Sequence, residues 1–87
     1  MFVSVIHRIT DPERFAEMMR NATIPDGLHV AQFTAGADRS IAICIWEAPS
    51  VQDVRNYLEP LTAGIGTNEY AEIDAARSLG LPAATIA

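Results

Sequence analysis

The chain has 87 residues, a formal net charge of −5 at pH 7 and one cysteine. This length allows one domain, and a single cysteine excludes an intrachain disulfide. All six cationic residues are arginines. The absence of lysine excludes a Schiff-base lysine and a P-loop lysine. An acidic chain without a basic stripe is also a poor nucleic-acid binder, because phosphate neutralisation supplies most of that affinity.

The N-terminal residues lack the pattern of a targeting or membrane segment. Met1–Arg8 is strand-like and is far too short to span a bilayer. The use of one cysteine fits a reducing compartment. We therefore expect a cytoplasmic protein that does not associate with membranes.

Strand and helix signals open the chain. Phe2–Arg8 is predicted to form strand one. The first helix starts either at Thr10, with Glu13 completing a capping box, or at Asp11, with Pro12 in the favoured first position. Both alternatives start a helix here. Its apolar stripe consists of Phe15, Met18, Met19 and Ala22.

The same order of signals recurs after about 39 residues. A turn at Pro25–Gly27 leads to strand two at Leu28–Thr34. The later elements are strand three within Ser40–Ser50, a helix from Ser50 to about Pro60, strand four at Asn68–Asp74 and an arm at Ala75–Ala87.

The element order β-α-β-β-α-β predicts a ferredoxin-like α+β fold. Right-handed crossovers give a four-stranded antiparallel sheet of order 4-1-3-2, in which we take strands one and three as a parallel central pair. Both helices would cover the same sheet face. We expect residues 1–87 to form this single domain, with residues 75–87 as a C-terminal arm.

Each strand offers one set of side chains to each face of the sheet. The set of Ile6, Ile41, Ile43 and Ile45 is rich in isoleucine, and we assign it to the helix-covered face. That assignment brings Arg8 beside Glu47 as an ordinary surface ion pair. The opposite, open face would carry Val3, Val5, His7, His29, Ala31, Phe33, Cys44, Trp46, Tyr70 and Glu72. Because this face would be a sizeable apolar patch in water, we expect it to pack against a second copy in a homodimer.

The predicted topology places four side chains at one end of the open face. They are His7, Trp46, His29 and Tyr70, and they would form a row of about 14–15 Å across the strands. Asn68 lies at the same rim. We interpret His7 and Tyr70 as candidate catalytic residues. The candidate ligand-binding residues are Trp46, His29, Asn68, Cys44 and Phe33.

Three kinds of chemistry could use these groups. His7 could perform acid–base catalysis while Tyr70 and Asn68 orient a substrate, or the groups could simply bind a small molecule. A metal site would draw on His7, His29, Cys44 or Glu72, although no paired-histidine or Cys-x-x-Cys spacing is present. Each residue also has a purely structural explanation in core or interface packing. No catalytic-triad signature or glycine-rich phosphate loop occurs.

The segments Cys44–Val51, Thr67–Tyr70, Gly80–Pro82 and His7–Glu13 resemble a family of small, mostly uncharacterised bacterial proteins. The resemblance implies a ferredoxin-like fold that forms a dimeric α+β barrel, and one relative is described as nickel-binding. The wider barrel superfamily includes cofactor-independent monooxygenases that place Trp, Asn, Tyr and His in the cavity. The residues of those types here are Trp46, Asn68, Tyr70 and His7.

We therefore expect a homodimeric α+β barrel with two sheets face to face and no cofactor. The leading functional hypothesis is binding of a small, largely apolar molecule between the sheets, with cofactor-independent oxidation or isomerisation as a further option. The alternatives are a nickel-type metal-binding protein and a dimer face without a ligand.

Overall fold

The computed structural model describes residues 1–85, and their elements follow the predicted order. The strands are β1 (Phe2–Ile9), β2 (His29–Ala35), β3 (Ile41–Glu47) and β4 (Gly66–Glu72). The helices are α1 (Pro12–Asn21) and α2 (Val51–Thr62), followed by a 3-10 turn at Ala75–Arg77. The ferredoxin-like βαββαβ fold is thereby confirmed. Residues 86–87 of the predicted arm lie outside the described residues. Neither α-helix in the described part of the chain is long and apolar enough to cross a membrane.

Side-chain caps fix the start of α1. The carboxylate of Asp11 accepts a hydrogen bond from the backbone N–H of Arg14, at 3.2 Å, and Pro12 occupies the first helical position. Thr10 is therefore not the cap. Its hydroxyl instead donates to the carbonyl of Ile65 at 2.9 Å, which ties the β1–α1 connection to the residue before β4.

The second helix is longer than its sequence predicts. Ser50 caps it by accepting from the backbone N–H of Asp53 at 3.1 Å, as expected. The predicted end near Pro60 is wrong, because the helix continues to Thr62. Pro60 removes one backbone donor, and a single missing bond in the last turn does not stop the helix. The chain turns only at Gly64, whose φ of 76° suits a residue without a Cβ.

The sheet order is β2-β3-β1-β4, which matches the predicted order 4-1-3-2. All three pairings are antiparallel, so the predicted parallel pairing of strands one and three is wrong. After α1, strand β2 runs parallel to β1 but is not its neighbour. The β2–β3 hairpin places β3 between β1 and β2, antiparallel to both. The register pairs His7 with Ala42 and Val3 with Trp46. His7 and Trp46 thus lie toward opposite ends of the central pair.

The assignment of the two sheet faces is also wrong. The helices cover the set that includes His7, whereas the isoleucine set lies on the open face, where Ile43 is 45% exposed. The main core under the helices consists of Val3, Val5, Cys44, Trp46, Ala48, Val54 and Leu58, and a second cluster consists of Phe15, Ala42 and Ile65. Both sets of strand side chains are apolar. Alternation therefore separates the sets but does not say which one the helices cover.

The C-terminal segment returns to the end of β3. Glu47 is 4% exposed, and its carboxylate accepts from the backbone N–H of Thr85, at 3.0 and 3.1 Å, and from its hydroxyl at 2.9 Å. The predicted Arg8–Glu47 ion pair is wrong. Arg8 instead pairs with Glu69 on the adjacent strand, Nε to Oε1, at 3.1 Å.

The face assignment can be tested by exchanging hydroxyl and methyl groups. Val5→Thr places a hydroxyl in the fully buried core, so we expect the free energy of unfolding to fall by about 1–3 kcal/mol. The matched control is Thr67→Val at an exposed position on the edge strand β4, which should change it by less than about 0.5 kcal/mol. Urea unfolding at one fixed protein concentration measures both. Equal effects would contradict the assignment.

Candidate functional site

Four of the predicted site residues meet beneath α2. His7 is 2% exposed, its Nδ1 lies 2.6 Å from Asn68 Oδ1, and its Nε2 lies 3.2 Å from Cys44 Sγ. The strand registers explain this meeting. His7 pairs directly with Asn68 across β1 and β4, while Cys44 is opposite Val5, one step along the same face. Tyr70 follows Asn68 on that face of β4. Together with Glu59 of α2, these four residues are called the His7 network below.

The hydrogen bonds of Asn68 determine the proton positions on His7. Asn68 Nδ2 donates to Glu59 Oε2 and to Thr62 Oγ1, each at 2.8 Å. An ionised carboxylate only accepts, so the amide nitrogen must face Glu59 and the amide oxygen must face His7. Nδ1 of the imidazole therefore carries the proton, and Nε2 is left as the acceptor for the thiol of Cys44.

Burial keeps the Cys44–His7 pair uncharged. It lowers the pKa of His7 below 6.5, against the opposing effect of the hydrogen bond to Asn68. It also raises the pKa of the Cys44 thiol to about 12. A thiol–imidazole pair in this state is not the thiolate–imidazolium pair of a cysteine nucleophile. The arrangement of Cys44, His7 and Asn68 is therefore a buried, uncharged polar contact in the core.

Tyr70 connects the network to the surface. Its hydroxyl donates to Glu59 Oε2 at 2.6 Å, and the guanidinium of Arg55 lies 4.5 Å from the centre of its ring. Burial and the bond to Glu59 raise the pKa of Tyr70, while the hydrogen bond from Tyr70 lowers the pKa of Glu59. Tyr70 thus remains a protonated donor, and Glu59 remains an ionised acceptor.

Trp46 does not belong to this group. It is 4% exposed and packs edge-on against Tyr57 at 5.8 Å, in the core between β3 and α2. Its indole partly opposes the rise in the Cys44 pKa. Even so, the buried Nε1 of Trp46 has no hydrogen-bond acceptor among residues 1–85. The predicted row of four residues is wrong at Trp46, because antiparallel pairing moves it away from His7.

His29 is also outside the site. A β-bulge between Val30 and Gln32 shifts the register of β2, so His29 pairs with Glu47 while Phe33 pairs with Cys44. His29 is therefore exposed on the open-face side, and Phe33 lies on the helix side. Strict alternation had placed both residues on one face, and the extra residue of the bulge breaks it.

The metal-ligand candidates do not come together in the described chain. His7 and Cys44 are in contact, but His29 is on the other face and Glu72 pairs with Val3, away from His7. No cluster of three or more His, Cys, Asp or Glu side chains able to hold a metal occurs within residues 1–85. A metal site in one copy would lack a full ligand set from these residues.

An apolar pocket lies beside the network, between α1 and the β2–β3 hairpin. Its volume is about 290 Å³. Its walls include Phe15, Met19, Phe33 and Ile41, and Arg20 and Arg39 also line it. Phe15 is shared by both features, because its ring centre lies 5.3 Å from that of His7. We call this cavity the α1 pocket.

Sequence reasoning missed three parts of this site. Glu59 and Thr62 accept hydrogen bonds from Asn68, and Phe15 packs against His7 while lining the α1 pocket. A polar residue such as Asn68 on a core-facing strand position signals a need for buried partners, which α2 supplies. The partners themselves depend on how α2 is rotated over the sheet.

Comparisons with protein-family models, with curated proteins and with solved structures found no match for this chain.

The charge state of His7 gives a pH-dependent stability. Because its native pKa is lowered below 6.5, the unfolded chain binds more protons than the native chain as pH falls through 6.5. We expect the free energy of unfolding to decrease below that pH and to level off below the native pKa of His7. The loss should be about 1.4 kcal/mol for each pH unit that separates the two pKa values. Denaturant unfolding between pH 4 and 8 measures it.

The variant His7→Gln should remove this part of the pH dependence. The matched control, His29→Gln, removes the exposed histidine and should keep the wild-type profile. In the wild type, imidazole ¹⁵N shifts at pH 7 should show a protonated Nδ1 and an unprotonated Nε2 for His7. The opposite tautomer would contradict the orientation that we assign to Asn68.

Proposed function

We propose that this protein binds a small, largely apolar molecule in the α1 pocket. The observation that supports the proposal is a cavity of about 290 Å³ with aromatic and aliphatic walls, including Phe33, which is 38% exposed. Ligand sites are typically concave and mostly apolar, and their volumes begin near 300 Å³. A large aromatic side chain exposed on a pocket wall favours an occupant that would cover it.

The proposed site differs in place from the one that the sequence suggested. The sequence pointed to a cavity between two sheets, because the face with His7 was taken as open. That face is covered by α1 and α2, so the cavity beside it lies within one copy of the chain. The ligand class of the hypothesis is unchanged.

The proposal is restricted to binding. His7 is not among the residues that line the α1 pocket, and the ring of Phe15 contacts His7 on one side while lining the pocket. Acid–base chemistry by His7 would require a hydrogen bond between its imidazole and the ligand. Oxidation or isomerisation therefore has no support beyond the residue types that first suggested it.

We further propose that two copies pair through the open face of the sheet. Ile6, Ile43 and Ile45 form its centre on the two middle strands, and Ile43 is 45% exposed. At one side, Arg8 and Glu69 hold opposite charges within 3.1 Å of each other. A two-fold axis could place Arg8 of one copy opposite Glu69 of the other, so that opposite charges face each other. An apolar centre with a self-complementary charged edge favours a second copy over an unrelated partner.

Filling the pocket should prevent binding. Ala16 lines the α1 pocket and is partly buried, so Ala16→Phe places a ring in the cavity. We expect the neutral fluorescent probe 1-naphthylamine to bind the wild type and to lose at least about tenfold in affinity for the variant. Fluorescence titration measures both affinities.

The matched control is Ala76→Phe, at an exposed position in the 3-10 turn. It adds the same ring outside the pocket and should bind the probe as the wild type does. Equal affinity of all three proteins would show that the probe does not occupy the α1 pocket.

A charge at the centre of the open face should prevent pairing. Ile43→Arg would bury an unpaired cation between the copies, so we expect the dimer dissociation constant to rise by about a hundredfold or more. Gln52→Arg is the matched control because it adds the same charge on the exposed surface of α2. Sedimentation equilibrium measures the assembly state. A monomeric wild type at about 100 µM, a concentration well above typical dimer dissociation constants, would contradict the proposal.

A further inference from the structure

We infer that the ligand of the α1 pocket is a monocarboxylate with an apolar body. This inference rests on the proposed function and adds the ligand's chemical class. Two of the six arginines in a chain of net charge −5 line this one pocket. No aspartate or glutamate is among the described residues that line it. An apolar cavity with cationic side chains and no lining acid fits an anionic ligand with an apolar tail.

Arg20 and Arg39 come from different elements. Arg20 lies in the last turn of α1, and Arg39 lies in the β2–β3 hairpin, where its φ is 66°. This left-handed conformation is uncommon for a residue with a long side chain. The hairpin thus holds Arg39 at the pocket in a backbone state that most non-glycine residues avoid.

The local charge balance favours one negative charge. Arg39 Nη1 pairs with Glu13 Oε1 at 3.0 Å, so part of its charge is already neutralised. Glu13 lies at the start of α1 and does not line the pocket. Arg20 has no ion-pair partner among residues 1–85. One arginine without an ion-pair partner at the pocket suits a monoanion better than a phosphate monoester with about −2.

Size and geometry define the rest of the ligand. A cavity of about 290 Å³ is at the small end of ligand sites, so the ligand has on the order of ten non-hydrogen atoms. Its apolar part would lie against Phe15 and Phe33. Its carboxylate would remain at the rim, where the planar guanidinium of Arg20 can donate two parallel hydrogen bonds to it.

The test compares three probes with the same eight-carbon chain: octanoate, 1-octanol and octylammonium. Binding to the full chain at pH 7 is followed by the methyl signals of Met19 and Ile9, which line the pocket. We expect octanoate to bind about tenfold more tightly than 1-octanol, and octylammonium more weakly than either. Arg20→Gln should remove the preference, so that octanoate and 1-octanol bind the variant with similar affinity.

The matched control is Arg77→Gln, which removes the same charge from an exposed residue outside the pocket. It should keep the preference for octanoate. Equal binding of octanoate and 1-octanol to the wild type would overturn the carboxylate inference and leave the apolar pocket supported. Preference for octylammonium would also overturn it. Failure of all three probes to shift these methyl signals would overturn both the inference and the proposed function.

Discussion

The 2.6 Å hydrogen bond between His7 and Asn68 is the contact on which the interior of this fold depends. Two polar side chains on neighbouring strands are held beneath a helix, where each unpaired group would cost about 1–3 kcal/mol. Glu59 and Thr62 of α2 accept hydrogen bonds from the amide nitrogen of Asn68, which leaves the amide oxygen for His7 and determines the tautomer of His7. Helix position, strand register and proton state are thus parts of one network rather than independent features.

The architecture was largely predictable, because the residues that start its helices are recognisable from short stretches of sequence. The side chains of Asp11 and Ser50 cap the helices that begin at the next residue. Right-handed crossovers then leave few possible strand orders for a β-α-β-β-α-β chain. The choice of the covered face was not predictable in the same way. Ile43 and Cys44 lie on opposite faces, and both are apolar, so their polarity carries no information about where the helices pack. The bulge beside Val30 is another feature that alternation cannot show.

The candidate site was predictable in part. His7, Asn68 and Tyr70 were expected near one another, and they meet because β1 and β4 pair in the appropriate register. Trp46 was misplaced because β1 and β3 are antiparallel, which puts Trp46 and His7 toward opposite ends of the pair. His29 was misplaced because the bulge in β2 moves it to the other face of the sheet. Arg20 gave no sequence signal, since a cation in the last turn of a helix is ordinary charge placement. Its relation to a pocket depends on a hairpin more than fifteen residues away.

Phe15 belongs both to the wall of the α1 pocket and to the surroundings of His7. Its ring centre lies 5.3 Å from that of the His7 imidazole, and the same residue lines the pocket. An occupant that displaces this ring changes the solvation of His7, and solvation is the main determinant of the His7 pKa. Thermodynamic linkage then requires the reverse effect, in which protonation of His7 alters ligand affinity by the same factor. One aromatic ring in the first helix would thereby couple the proposed ligand binding to the proton state of His7.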